Sequence, residues 1–178
     1  MMDHFHEEVV VKKNRVFNDV LYMLSNVVMV ICALLTFMTL GTLVSNFNVV
    51  ILAFVLINGA IALLLFLYRD RLRTEYEYTF TNGSLDFAMV FNNKKRKSLG
   101  SLNVAKVDAF GKVQSGSFRR HTAGNDVKHL RWFLNRDAEL YYFAFSKEGK
   151  KSVIVFEPSE EMVGYIKHYL PYGAHQEN

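Results

Sequence analysis

Residues 20–68 form a run of 49 positions without one Asp, Glu, Lys, Arg or His. As a single helix the run would be about 73 Å long at about 1.5 Å per residue, while a hydrocarbon core of about 30 Å is crossed by roughly 20 apolar residues. The run therefore divides. "VLYMLSNVVMVICALLTFMTLGTLV" (20–44) and "VVILAFVLINGAIALLLFLY" (49–68) are each long enough to cross, and "SNFN" between them is a tight polar turn. The expectation is a two-helix transmembrane hairpin over 18–69, spans at about 20–44 and 49–68, behind a cytoplasmic N-terminal segment 1–17. A cleaved signal peptide is the rival reading of the first span, but the apolar stretch exceeds a typical h-region and no small-x-small site precedes the turn. The chain is expected to keep it.

Lys12, Lys13 and Arg15 precede the first span, Arg69, Arg71 and Arg73 follow the second, and the turn between carries no charge. Positive flanks stay inside, so a multi-pass protein of the cell (inner, plasma) membrane with both termini cytoplasmic is expected. Tyr22 and Tyr68 fall near the inner boundary and Phe47 at the outer one, where amphipathic rings favour the headgroup level. Asn26 and Asn58 are polar intruders, roughly 9 and 15 Å deep, and are candidates for an interhelix polar contact. With no ionisable group in either span, transport is disfavoured. Cys32 is the sole cysteine, which excludes an intramolecular disulfide and a thiolate metal cage and reads as a small packing residue.

The formal net charge of +4 belongs to the C-terminal part, since residues 69–178 hold eighteen Lys/Arg against thirteen Asp/Glu. Such a balance favours anionic neighbours, lipid headgroups or nucleic acid. From Thr74 the apolar period becomes two. Tyr76, Tyr78 and Phe80 alternate with Glu75, Glu77 and Thr79, and Leu85, Phe87, Met89 and Phe91 continue after Asn82-Gly83, a pair that favours a hairpin turn. "KRKSLGSL", "VDAFGKV", "HLRWFLN", "ELYYFAFS" and "KSVIVFE" add five strands, with a loop over 114–127. Seven strands at this spacing argue for an antiparallel barrel or sandwich. "PSEEMVGYIKHYLP" then reads as a helix over 159–170, with Ser159 as N-cap and Pro171 as stop, whose apolar side caps the strands. The domain is expected over 70–171, followed by a tail at 172–178.

Seven strands closed by one C-terminal helix resemble the pleckstrin-homology-like (PH-like) fold. The order "YTFTNGSLDF…LGSLNVAKVDAFGKV…YYFAF…VIVFEPSEEMVGYIKHYLP" is similar to its bacterial membrane-anchored version, and the whole chain resembles small bacterial membrane proteins grouped as a domain of unknown function. The expected class is thus an α+β membrane protein: a transmembrane hairpin, then a seven-stranded antiparallel PH-like barrel or sandwich with a capping helix. Phosphoinositide-binding members of that family place basic residues around the first hairpin loop and second strand. Here the loop is "TNGS" and the strand carries Asp86, which argues against inositol-lipid recognition.

Lys94, Lys95, Arg96 and Lys97, with Arg69, Arg71 and Arg73, are candidates for contact with an anionic surface; the alternative is a solvated turn whose lysines guard an edge strand. "FRRH" (118–121) with Lys128, His129 and Arg131 near Trp132 resembles a nucleic-acid platform, but alternation puts Trp132 with Leu130 and Leu134 on a core face, so nucleic acid is disfavoured. His121, Asp126 and His129 have no recognised zinc spacing, and Asn82-Gly83-Ser84 is accounted for by turn chemistry. "GKVQSGS" lacks a phosphate-loop ending, and Glu160 and Glu161 serve a helix N-terminus. No catalytic residue, metal ligand or cofactor is therefore assigned. The expected role is a non-enzymatic interaction or scaffold module. It would use the bilayer plus a protein partner or a second copy, with electrostatic binding of anionic headgroups and an unfamiliar membrane-associated enzyme as alternatives.

Overall fold

In the computed structural model, which describes residues 4–124, 126–147 and 149–176, the chargeless run is two helices, α1 (Val16–Ser45) and α2 (Val49–Tyr68). Asn48 caps α2 by accepting from the Val50 N–H at 2.8 Å. Both helices are long and apolar enough to cross a membrane, and only 6% of the most apolar stretch of each is buried. Phe37, Met38 and Val44 stand 79%, 72% and 84% exposed. The polar side chains turn inward on their own backbone. Ser25 donates to the Leu21 carbonyl, Thr36 to Cys32, Thr39 to Leu35, Thr42 to Thr39 and Ser45 to Gly41. Side-chain amides do likewise, Asn26 to Tyr22 at 2.7 Å and Asn58 to Phe54 at 2.9 Å. Between the helices lie buried Cys32, Val55 and Asn58, and Gly59 faces Thr36. A 3₁₀ turn, Arg69–Arg73, ends the hairpin; with residues Phe91–Lys94 it belongs to the helical unit, Asn14–Thr74.

The second unit, Met1–Lys13, Glu75–Val90 and Lys95–Asn178, is built on two sheets. The first is β1 (Phe5–Val10), β2 (Thr74–Thr81), β3 (Ser84–Phe91) and β4 (Lys95–Asn103), in that spatial order. The second takes β5 (Ala109–Lys112), β6 (Lys128–Trp132), β7 (Tyr141–Lys147), β8 (Lys150–Phe156) and β9 (His175–Gln176) in the order β6-β8-β7-β5-β9. Asn82 and Gly83 make the β2–β3 turn with φ of 47° and 88°, as the Asn-Gly pair demands. Helix α3 (Gly116–Thr122) lies in the segment expected as loop, and α4 (Glu160–Tyr169) starts after Ser159, whose hydroxyl accepts from Met162 N–H at 3.1 Å.

Three expectations are corrected. The described residues hold nine strands, not seven, because β1 precedes the hairpin and β9 follows α4. The sheets do not close into a barrel: Lys95 to Ser98 at the start of β4 are all exposed, and β4 ends as an edge rather than passing its ladder to β5. Nor is the pairing wholly antiparallel, since β6 runs parallel to β8 and β5 to β9. Inside, Tyr78, Phe80, Phe87, Phe110, Phe143 and Phe156 are at most 1% exposed, and Met162, Val163 and Ile166 of α4 join the same cluster. A second cluster, around Tyr142, Ala144, Val153 and Val155, lies beneath Phe118 of α3.

Candidate functional site

Within the helical unit, the foot of the hairpin gathers the charges that flank the apolar run. Arg73 Nε donates to Asp19 Oδ1 at 2.8 Å, and its guanidinium lies 4.2 Å from the Tyr22 ring centroid. Arg69 Nη1 donates across the hairpin to Asn26 Oδ1 and lies 3.3 Å from Met29 Sδ; its guanidinium also packs on Phe66. Asn26 and Asn58, the two expected intruders, do not bond to each other; Asn26 instead meets the arginine that follows the second span. Arg71 sits 4.7 Å over Tyr68. Asn92 Nδ2 donates to the Tyr22 hydroxyl and to Asp70 Oδ1, both at 2.9 Å, and its N–H donates to the Arg73 carbonyl at 2.8 Å. The turn that carries it has φ of 49° at Asn92 and 53° at Asn93 and is closed by Lys94 N–H on Phe91 O at 3.0 Å.

The basic candidates thus separate by chemistry. Arg69, Arg71 and Arg73 are engaged by local acceptors and ring faces, and Arg96 Nε pairs with Glu77 Oε2 at 2.8 Å. Lys94, Lys95 and Lys97 are exposed and have no partner among the described residues. Arginine's planar fork suits fixed acceptors and ring faces, whereas lysine's point charge on a flexible stem stays free in water.

Elsewhere in the sheet unit, Trp132 is 9% exposed and packs 4.7 Å from Phe87, so it belongs to the core and is no platform for bases. No three His, Cys, Asp or Glu among the described residues converge as metal ligands. Burial pushes the hydroxyls of Tyr76, Tyr78 and Tyr141 up from the ordinary phenol range. The exposed pairs behave oppositely: the hydrogen bond from Lys112 lowers the Glu139 carboxyl and raises the lysine, and Lys13 lowers Asp137.

A cluster that apolar periodicity does not reveal joins β1 to α4. Glu8 accepts the Ser159 N–H at 3.1 Å, His6 lies 3.6 Å from Glu8 and 3.5 Å from Glu161, and His4 Nδ1 is 3.1 Å from the Tyr169 hydroxyl. His4 also packs edge-on against His168 at 5.5 Å. Only the repeat of His and Glu at alternate positions 4, 6 and 8 hinted at one face, and nothing local said what it would meet.

Two sheets and a helix covering one core, after an apolar hairpin, can be set beside known families. A family model described as Bacterial PH-like domain (DUF6106) matches residues 2–175. The chain belongs to that family. The match takes in β1, the hairpin and the sheets alike. No curated protein and no solved structure matches the chain.

Proposed function

We propose that this protein is a membrane-anchored, non-enzymatic interaction module that carries its PH-like sheets at the cytoplasmic face of the cell membrane, where they engage a protein partner or further copies of the chain. The outward faces of α1 and α2 carry this reading. Soluble monomers rarely leave apolar patches larger than a few hundred Å² in water, yet both helices expose large aliphatic and aromatic side chains along their length while the Ser and Thr hydroxyls of α1 bond their own helix. That is the arrangement hydrocarbon requires, because nothing outside the helix offers a hydrogen bond. Pairing of β1 with β2, from Phe5↔Thr81 to Val10↔Tyr76, supports the topology, since chain entering and leaving the hairpin must then lie on one side.

Strand edges supply the binding surface. β4 opens with Lys95 and Lys97 and β6 carries Lys128 and Arg131, cations that discourage another strand. β1 is an edge strand with no Lys or Arg, and Phe5 and Val9 on it are 59% and 50% exposed. A partner strand would add there. The test is fractionation of cells expressing the full chain, with cross-linking in place. The protein should stay in membranes washed with salt and alkali and should cross-link through cysteines placed on β1; release into the wash, or a strictly monomeric product, counts against it.

A second reading rests on Lys94, Lys95 and Lys97: free lysines near an anionic surface contribute about 1 kcal/mol each. Full-length protein in nanodiscs would show their amines protected by phosphatidylglycerol and not by phosphatidylcholine, with protection lost at high salt. Equal labelling in both lipids dismisses it.

A further inference from the structure

The outer face of the second sheet holds a cleft of about 270 Å³, lined by Asp108, Arg120, His121, Lys151 and Ser152 over a floor of Ala144 and Val153. Its geometry is set by register. Ala144 lies opposite Val153 and Ser146 opposite Lys151, so small residues of neighbouring strands leave the depression and Lys151 stands at its rim. Asp108, just before β5, is held by the Ser146 hydroxyl, which donates to Oδ2 at 3.0 Å and leaves Oδ1 open. Across the cleft, α3 is pinned to the sheet by Tyr142, whose hydroxyl donates to Ser117 Oγ at 3.0 Å and whose ring meets Phe118 edge-on at 5.1 Å. That anchor fixes where Arg120 and His121 reach, and the His121 ring lies 6.0 Å from the Tyr142 ring.

What distinguishes this cleft is that its charged groups share one concavity. Lys13, Arg73, Arg96 and Lys112 each meet a carboxylate. Arg120 and Lys151, like Lys94, Lys95 and Lys97, have no partner among the described residues, but they line one small concavity with an imidazole and the Asp108 carboxylate. An arginine fork beside a lysine suits the oxygens of a phosphoryl group. Asp108 adds the opposite requirement: a hydrogen-bond donor on the same ligand. We propose that the cleft binds a small phosphate monoester bearing a hydroxyl, its phosphoryl group on Arg120 and Lys151 and its hydroxyl on Asp108. This goes beyond the anchored-module reading and does not depend on it.

Glycerol 3-phosphate is the probe, with inorganic phosphate beside it. The full chain, in phosphatidylcholine nanodiscs, is titrated by calorimetry while the His121 imidazole is followed by NMR. Saturable one-to-one binding with a shift at His121 is expected, tighter for glycerol 3-phosphate than for phosphate, and weakened about tenfold or more by Arg120→Gln or Lys151→Gln, the usual scale for a lost charged hydrogen bond. Asp108→Asn should erase the preference for the ester over phosphate. Lys147→Gln, which removes an exposed charge outside the cleft, should leave the affinity within about twofold. If the soluble ester is silent but nanodiscs containing lysophosphatidic acid, which keeps a free glycerol hydroxyl, shift His121, the monoester is a headgroup and the site assignment stands. No shift with any of the three, or equal losses for Lys147→Gln and Lys151→Gln, overturns the proposal.

Discussion

Tyr78 on β2 reaches the second sheet: its buried hydroxyl donates to the Trp132 carbonyl and receives the Glu157 N–H at 3.4 Å. Tyr78→Phe leaves that carbonyl in an apolar interior with no donor, and an unmet buried acceptor costs about 1–3 kcal/mol. Chemical denaturation of the detergent-solubilised protein should register a loss of that size. Gly83 is constrained twice, by a φ of 88° and by Tyr169, whose Cδ1 would lie 2.7 Å from an added Cβ. Gly83→Ala should therefore cost more than about 1 kcal/mol, beyond the usual gain from a stiffer unfolded chain. The Lys112–Glu139 pair bears on pH. The folded-state glutamate titrates below its ordinary range, so its contribution is present above that range and is lost as pH falls through the lowered value. Because the pair is exposed, Glu139→Gln should flatten only slightly the decline of the melting temperature in acid.

At the scale of elements, β1 is held at its far end by one side chain. Asn135 donates from Nδ2 to the Val11 carbonyl at 2.9 Å and accepts the Lys13 N–H at 2.8 Å, and Glu157 fixes the amide from behind at 2.8 Å. Asn135→Ala should raise hydrogen exchange in Glu8 to Val10 while leaving β3 unchanged; unchanged exchange in β1 would contradict the anchoring. The seven strands from β2 to β8 were legible because Tyr76/Tyr78/Phe80 and Leu85/Phe87 alternate with polar residues. β1 was not, because its inward positions are His6 and Glu8 and its outward ones Phe5 and Val9, the reverse of what alternation reports. β9 is two residues, too short for any period, and α3 hides in a polar Arg-Arg-His stretch whose hold on the sheet comes from Tyr142. The basic turn was legible as a turn, yet which cations would stay free depended on acidic partners distant in sequence, Asp19 for Arg73 and Glu77 for Arg96.

For the molecule as a whole, the proposed orientation in the membrane is the property most open to measurement. With Cys32 replaced by Ala, a cysteine at Phe47, in the turn between α1 and α2, should react with a membrane-impermeant maleimide on intact spheroplasts, and a cysteine at Tyr172 should react only after lysis. The opposite pattern would invert the topology, and labelling of both from outside would remove the hairpin from the bilayer. One arrangement also fixes a timetable. Since β1 finds its only ladder among the described residues on β2, and the entire hairpin is translated between them, the nascent chain must carry its first strand unzipped until both helices have left the ribosome. Closure of that sheet therefore reports that the whole hairpin has been made.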